Sequence, residues 1–325
     1  MAISPSSSLA TLRPDLAGSL MEFDLQANMN DMVALQIAPV LEVDRQMGNF
    51  GRIPIEELLK TRDDLRAAGA GYNRGNGTFQ PDSYSCTEHG LEEAVDDREA
   101  EMYADYFDAE LIAAMRARHG ILQNLETRVI ASALANAVAY SGGALPAVWS
   151  DPANSTPITD ITNGMAQLYA QIGRTRACLA ISWARYNVLR NSTQIIDRVK
   201  YSGLVNVTRD NITPQAIAQA LDVEELIVGR AVYNTANEGA ATKAGTATLA
   251  GLWTANKALL FVKAKSMDIR EPCFMRTIHW GLDGSQIGAA VESYRDEHVR
   301  GNVVRCRMDE TEKVLYPQAA VVMNI

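Results

Sequence analysis

The amino-acid sequence predicts an α+β protein that combines a long helix, a compact α/β unit and a C-terminal group of strands. Three patterns support this prediction. Apolar residues recur at helical spacing over 111–129, strand-like runs alternate with helical patterns over 157–265, and apolar residues alternate with charged ones over 304–309. The chain has 325 residues and is 47% hydrophobic, enough for one large domain or two ordinary ones with a buried core.

The region before the long helix is poor in apolar residues and is predicted to extend away from a core. Residues 1–40 are read as an arm, in which Pro14–Asp31 has a loosely helical pattern. The segment 48–91 begins as a strand, becomes glycine-rich over Gly69–Gly77 and then returns. A segment of this length with so little core is typical of a mobile loop, a linker, or a hairpin held by something else.

The acidic stretch Glu92–Glu110, whose only basic residue is Arg98, is compatible with a metal site, an acid–base site or the solvated start of a helix. A metal site needs histidines and carboxylates that converge on one point. His89 lies outside the run, and the acids spread around the helix. We therefore interpret the stretch as a helix start, with Asp96 as N-cap and Glu99 as the reciprocating carboxylate.

From this start the helix is predicted to continue to about Asn136, about 40 residues and about 60 Å. One apolar stripe is expected along it, formed by Leu111, Met115, Leu122, Leu125 and Val129. If the helix bends or splits, it is expected to do so at Gly120.

The compact α/β unit follows. A helix over Pro157–Gly173 precedes a buried strand over Ala177–Ser182 and one or two short helices. Thr213 is the predicted N-cap of a further helix that has Pro214 at its first position. The stretches "EELIVGRAVYN" and "KALLFVKAK" are read as strands, with a loop over 235–251 between them.

The C-terminal region is predicted to form three or four strands. Over Val304–Asp309, apolar and charged residues alternate as in a half-buried strand. Arg305 and Arg307 then share one face, where they would contact DNA or a neighbouring subunit. The alternative is a solvated face with local salt bridges to Asp309 or Glu310.

Composition limits the classes of function. The net charge of −9 argues against a protein that grips nucleic acid, because phosphate binding needs clustered Lys and Arg. The N-terminal residues lack the pattern of a signal peptide, and no apolar run approaches the length of a membrane span. We therefore expect a soluble protein made in a cytoplasm, with buried thiols at its four cysteines: Cys86, Cys178, Cys273 and Cys306.

The sequence predicts no catalytic, cofactor-binding or metal-binding residues. The four histidines (His89, His119, His279 and His298) form no metal-binding pair. "GLDGSQIG" is not a nucleophile elbow, and "GYNRGNG" lacks the Lys–Ser/Thr of a phosphate loop. A catalytic triad assembled in space remains open. Trp183, Trp253 and Trp280 are read as core or interface anchors.

Six stretches together resemble the major capsid proteins of tailed bacteriophages with the Hong Kong 97-type shell fold. They occur in the family's order over more than 200 residues: "ALQIAPVLEVDRQMGNFGRIP", "EEAVDDREA", "VWSDPANSTPITDITNGMAQLYAQIG", "ACLAISWARYNVLRNSTQIIDRVKY", "ITPQAIAQALDVEELIVGRAVYN" and "GLWTANKALLFVKAK". Each is weak alone, and none is a catalytic signature. Asn191-Ser192 departs from the family's His-Pro-like turn, which affects a loop.

This resemblance implies an N-terminal arm over 1–47 and an extended β-hairpin loop over 48–91. It also implies a peripheral domain around a long spine helix, from 92–147 and 273–325, and an α/β axial domain over 148–272. The chain would assemble as hexamers and pentamers into an icosahedral shell that encloses double-stranded DNA. The alternatives are an encapsulin-type nanocompartment, a soluble oligomeric enzyme without a recognisable motif, or another virion protein such as a decoration or portal subunit.

The partners implied are further copies of the chain, a separate scaffolding protein, a portal, a decoration protein, and DNA held by weak non-specific contacts. We expect a location in the virion after assembly in the bacterial cytoplasm. The sequence starts at Met1, so we expect no removal of a large propeptide. Some family members crosslink through a loop lysine, and Lys60 is the only lysine of the expected loop. We interpret it as an ordinary surface residue.

Overall fold

A computed structural model describes residues 25–66, 68–75, 77–104, 108–145, 148–201, 212–236, 248–254, 256–268, 271–281, 287 and 290–325. Its helices are α1 (Leu25–Asn30), α2 (Ala34–Ile37), α3 (Ile55–Leu58), α4 (Asp97–Tyr103), α5 (Ala109–Asn136), α6 (Pro157–Ile172), α7 (Trp183–Leu189), α8 (Thr193–Tyr201) and α9 (Pro214–Leu221). Most of the arm expected over 1–40, including its helical pattern before Leu25, lies outside the described residues.

The strands of the first half are β1 (Val40–Val43), β2 (Met47–Arg52), β3 (Gln80–Ser85), β4 (Thr87–Asp96), β5 (Val138–Ala139), β6 (Cys178–Ser182) and β7 (Leu226–Gly229). Those of the second half are β8 (Val232–Asn234), β9 (Leu249–Gly251), β10 (Lys257–Phe261), β11 (Met275–Trp280), β12 (Ala290–Asp296), β13 (Gly301–Val314) and β14 (Ala320–Asn324). The C-terminal region thus forms four strands, within the predicted range.

The first large sheet is built on the 14-residue strand β13, and we call it the β13 sheet. One edge of β13 pairs with β4 along 301–310. The other edge pairs with β12 over 301–307 and with β11 over 310–314. All three pairings are antiparallel, and β1 adds to β11 in parallel. A single long strand therefore joins segments that are more than 200 residues apart in the chain.

The second large sheet has the order β5–β14–β10–β6–β7, and we call it the β10 sheet. Both of its faces are buried. Cys178 and Ala180 pack in a core that includes α5, whereas Leu179 and Ile181 pack in a core with α6, α8 and α9. Because both faces of this sheet are buried, its strands are nearly continuous apolar runs. Such runs can be recognised in the sequence.

The predicted 40-residue helix is wrong in its continuity, because a short helix and a long helix, each with its own N-cap, occupy its place. The N-cap predicted at Asp96 is confirmed, because its side chain accepts from the Arg98 amide at the start of the short helix α4, but Glu92–Asp96 itself belongs to β4. The long helix α5 has its own N-cap at Asp108 and 28 residues, about 42 Å. It ends at Asn136 as predicted, and it continues through Gly120.

The buried stripe of α5 also differs from the prediction in its first half. Leu125 and Val129 are buried as expected, but Leu111 is 59% exposed. The residues that pack against the core earlier in the helix are small, namely Ala113 and Ala117. Small side chains let α5 lie close to the β13 sheet, and a hydrophobicity pattern does not distinguish this arrangement from a stripe of large residues.

The α/β unit agrees with the sequence analysis except between β7 and β9. Helix α6, strand β6, the helix pair α7 and α8, and the Thr213 cap of α9 are all confirmed. The single strand predicted as "EELIVGRAVYN" is two strands, because β7 joins the β10 sheet and β8 pairs with β9. Part of the predicted loop over 235–251 is therefore strand β9, and residues 237–247 lie outside the described residues.

Candidate functional site

Several exposed large apolar side chains lie on an extended hairpin formed within residues 47–85. Its two strands, β2 and β3, pair in register from Met47↔Ser85 to Arg52↔Gln80. A hairpin therefore lies within the loop expected over 48–91, but residues 87–91 belong to β4, which pairs with β13. Large apolar side chains along the hairpin are 61–81% exposed: Met47, Leu58, Leu59, Leu65, Tyr72 and Phe79. Clustered exposure of this kind marks an interaction surface.

The base of the extended hairpin is tied to the end of β13 by polar contacts. Lys313 Nζ lies 2.6 Å from Asp82 Oδ1, and the Arg52 guanidinium donates to the Leu315 carbonyl. Burial alone would raise the pKa of Asp82, but the hydrogen bonds from Lys313 and from the Ser83 amide outweigh it, and the pKa is lowered. Asp82 therefore stays ionised, and this contact stays intact, down to acidic pH.

Apolar and aromatic contacts complete this anchor. Phe50 packs against Leu315 and Cys273 in a small core below the hairpin. The Tyr316 hydroxyl donates to the Ile53 carbonyl at 3.1 Å, just beyond the end of β2. The hairpin is thus fixed at its base and unsupported along the rest of its length, at least by the described residues.

The described part of the arm lies on α5 and is held by buried polar contacts. Asn28 is 5% exposed, and its side chain makes paired hydrogen bonds with the backbone of Val232, at 3.0 and 3.2 Å. Its amide nitrogen also lies 2.8 Å from His119 Nε2 on α5. These contacts connect the arm to both the long helix and strand β8.

Helix α5 is joined to the β13 sheet by a charged cluster. Arg128 Nε donates to Glu312 Oε1 at 2.7 Å, and the same guanidinium donates to Glu310. Burial raises the pKa of Glu310 to about 7, although Arg128 opposes the shift. Glu310 is fully buried, so this cluster positions the helix against the sheet at some desolvation cost.

Comparisons with known proteins agree on one shell fold. No family model matches the sequence. The major capsid protein of Burkholderia phage BcepMu is 27% identical over 213 residues, which cover 62% of this chain and 65% of that protein. The chain thus matches slightly less than two thirds of the length of this curated relative.

Among solved structures, a phage-related protein from Bordetella bronchiseptica RB50 aligns with a TM-score of 0.62 at 20% identity, over 92% of this chain and 95% of that one. The capsid of Cyanophage P-SCSP1u aligns with a TM-score of 0.59 at 11% identity, over 89% and 86%. The chain has the Hong Kong 97-type capsid fold. An encapsulin from Synechococcus elongatus also aligns, with a TM-score of 0.55 at 14% identity, over all of this chain and 96% of that one.

In this capsid fold, the two arginines predicted to share a strand face do so, and both reach the same carboxylate of β12. Arg305 and Arg307 both bind Glu292 of β12, at 2.6 and 2.9 Å. Arg307 also lies 3.7 Å from Asp309. The local salt bridges anticipated from the sequence are present, but their main partner is Glu292, whereas Glu310 faces α5 instead.

The capsid fold does not bring the histidines and cysteines into a metal-binding group. Over the described ranges, no three His, Cys, Asp or Glu residues are placed to hold a metal ion. The four cysteines are buried as expected, and burial raises the pKa of Cys86 and of Cys178 to about 11. No described helix qualifies as a bilayer-spanning segment.

The tryptophans divide between core and surface. Trp253 is 3% exposed and packs in the core of α5, as predicted for an anchor. Trp183 is 55% exposed at the start of α7 and lines an open groove of about 760 Å³ with Arg230 and Tyr233. Trp149, which lies in the family-like stretch that begins "VWSDP", is fully buried and donates to Asp160 at 2.9 Å.

Sequence reasoning missed Glu126, the most unusual polar residue of α5. It is 1% exposed, and it interrupts the apolar face between Leu125 and Val129. A charged residue next to this predicted stripe was the available signal. Its importance comes from the arm, which is more than 90 residues distant in the chain.

Proposed function

We propose that this chain is the major capsid protein of a tailed bacteriophage. It would assemble as hexamers and pentamers into an icosahedral shell that encloses packaged double-stranded DNA. The capsid fold and the similarity to the BcepMu major capsid protein support this proposal. The role is structural rather than catalytic, in line with the shell proteins that the chain resembles.

The observation that carries the proposal is the extended hairpin. Its base is anchored by Lys313 and Arg52, while Leu58, Leu65 and Phe79 along its length are more than 60% exposed. Exposing such side chains to water is unfavourable by about 25 cal/mol per Å² of apolar surface. Neighbouring subunits would cover them in a shell.

The domain layout that we propose follows the capsid fold. The arm occupies 1–47, the extended loop 48–91, the peripheral domain 92–147 and 273–325, and the axial domain 148–272. Two details refine it. Strand β4 begins at Thr87 and pairs with β13, and strand β14 (Ala320–Asn324) lies in the β10 sheet with the axial strands.

Assembly would rest on many weak contacts. A single contact of about −4 kcal/mol gives only a millimolar dissociation constant, so misplaced subunits can separate. Several such contacts per subunit stabilise the closed shell through effective concentration. The arm and the loop would add contacts when they lie over neighbouring subunits, at some cost in ordering.

The net charge of −9 suits a container from which DNA must leave. Contacts between the wall and DNA would be weak and non-specific, and screened over about 8 Å at physiological salt. A separate scaffolding protein, a portal and a decoration protein are the further partners expected. Assembly would take place in the bacterial cytoplasm, and the product would be the virion capsid.

Negative-stain electron microscopy of the chain, expressed alone and with its neighbouring genes, tests the proposal. Closed shells several hundred ångströms across, or capsomers that close only with a scaffold, are expected. Small discrete oligomers under every condition would contradict it. Tight binding of purified subunits to duplex DNA at physiological salt would contradict the proposed weak contact with DNA.

A pair of variants tests the hairpin itself. Leu58→Ser with Phe79→Ser should leave the circular dichroism of the subunit unchanged and reduce shell yield, because both side chains are exposed in the subunit. Met267→Ser, at a side chain that is 75% exposed outside the hairpin, is the matched control and should assemble normally. Equal shell yields from both variants would show that these hairpin side chains are not part of the assembly surface.

An encapsulin-type compartment is the second candidate, because an encapsulin shares the fold at a TM-score of 0.55. Particles from the native source would separate the two. Double-stranded DNA inside the shells supports the phage capsid, whereas a protein cargo and no DNA supports the compartment.

A further inference from the structure

A buried carboxylate on α5 holds the arm at the point where α2 begins. Glu126 accepts hydrogen bonds from the backbone amides of Val33 and Ala34. Its Oε2 atom lies 2.9 Å from the Val33 nitrogen and 2.5 Å from the Ala34 nitrogen, and its Oε1 atom lies 3.0 Å from the Val33 nitrogen. One side chain therefore binds two amides at the start of a short helix whose own side chains cannot cap it.

The arm covers Glu126 completely. Val33, Ala34, Ile37 and Ala38 are each at most 3% exposed, and they pack in one core with α5 and the β10 sheet. Glu126 is 1% exposed, and its carboxyl group lies against this segment. If the segment leaves, the carboxyl group returns to water.

Charged neighbours do not compensate Glu126. The adjoining elements carry Asp31 on the arm, His119 and Arg128 on α5, Arg276 and His279 on β11, and Arg230 beyond β7, but the pKa of Glu126 is set by burial and by the Val33 and Ala34 amides. Arg128 is engaged by Glu310 and Glu312, Arg276 by backbone carbonyls, and Arg230 is exposed. Burial therefore has the largest effect on the pKa of Glu126 and raises it, and the two amide hydrogen bonds lower it by less.

We propose that Glu126 is a proton-controlled latch on the arm, so that the neutral carboxyl group keeps residues 28–38 docked on α5 and ionisation favours their release. A neutral carboxyl can still accept both amide hydrogen bonds through one oxygen, because Oε2 alone reaches both nitrogens. The ionised form requires a bare charge in an apolar core. The inference concerns the chain's own arm and stands independently of the shell function.

The direction of the pH effect follows from linkage. Burial under the arm raises the pKa of Glu126 from its usual 4.5 to about 7. A group that holds its proton more tightly in the docked state favours docking at low pH. Docking is therefore strongest below about pH 4.5, weakens as the pH rises, and reaches its lower level above about pH 7. The two pKa values correspond to a change on the order of 100-fold in the docking equilibrium.

Hydrogen–deuterium exchange of the purified full-length chain, followed by mass spectrometry of peptides covering 28–38, measures docking directly. Labelling times are scaled for intrinsic exchange at pH 5 and pH 8. The wild-type chain should lose on the order of 100-fold of its protection between these pH values. Glu126→Gln, a neutral residue of the same shape, should stay protected at both.

Glu93→Gln is the matched control. It neutralises another carboxyl group whose pKa is raised by burial, but on β4 and without a hydrogen bond to the described residues of the arm. This variant should retain the wild-type pH response. The latch would be overturned if residues 28–38 of Glu126→Gln were unprotected at pH 5. It would also be overturned if their protection in this variant fell between pH 5 and pH 8 as much as in the wild type. If Glu126→Gln fails to fold, the wild-type titration decides, and protection that is flat from pH 5 to pH 8 overturns it.

Discussion

The exposure difference between two leucines of α5 makes a quantitative prediction about stability. Leu125 is 1% exposed, and Leu111, on the same helix, is 59% exposed. A Leu→Ala change removes three carbon atoms, about 0.8 kcal/mol each when they are fully buried. The cavity left in the core of Leu125 adds to this, giving an expected loss of about 3–5 kcal/mol. At Leu111 the expected loss is below about 1 kcal/mol.

Urea unfolding of Leu125→Ala and Leu111→Ala, followed by far-UV circular dichroism, checks this prediction. Both variants carry the same change in helix propensity, so the difference between their midpoints reports burial. Leu125→Ala should unfold at clearly lower urea, and Leu111→Ala should resemble the wild type. Equal losses at the two positions would restore the uniform stripe predicted from the sequence and refute the burial assigned to α5.

Three further changes have defined outcomes. Gly301→Ala would place a Cβ atom 1.9 Å from the Val95 carbonyl oxygen, so β4 and β13 must separate. The expected loss of stability is about 1–3 kcal/mol, seen as a lower melting temperature. An unchanged melting temperature would contradict the close approach of the two strands. Arg276→Met removes a fully buried guanidinium that donates to two backbone carbonyls. Urea unfolding should show a loss of about 3–5 kcal/mol of stability. An unchanged stability would show that those carbonyls find other partners. Because burial raises the pKa of Glu310 to about 7, the unfolding free energy should fall as the pH rises from about 4.5 to 7. Glu310→Gln should reduce this dependence of the unfolding free energy on pH. An unchanged dependence would show that other groups cause it.

The contrast between the anchored base and the exposed length of the hairpin bears on how a shell could form. The Lys313–Asp82 contact and the Phe50 core set the direction in which the hairpin leaves the subunit. Its exposed apolar residues would then reach a neighbour without a search over many orientations. Pre-orientation of this kind lowers the entropic cost of binding.

Elements with strong local signals were predicted correctly. Thr213 and Pro214 mark the start of α9, and Gly173, with φ of 68°, ends α6 in the left-handed conformation that glycine tolerates. The apolar run of β6 is short and buried on both faces. In each case the information lies within a few residues of the element, so the sequence pattern is sufficient.

Elements that depend on distant partners were not predicted correctly. The helix start at Asp96 is confirmed, but the acidic residues before it pair with β13 as a strand, and Glu92 lies opposite Arg305 there. The strand "EELIVGRAVYN" divides because β7 and β8 find partners in different sheets. Strand pairing is a long-range interaction, and local propensity does not report it.

The sequence by itself determined the α+β class, the order of the units, the end of α5 and the absence of a recognisable catalytic motif, because composition, caps and periodicity are local properties. Only the tertiary structure decided which face of α5 is buried and where the hairpin is anchored. It also decided that Glu126 lies beneath the arm. Each of these depends on residues far apart in the chain, and the free energy of burying a side chain or an ionisable group depends on what finally covers it.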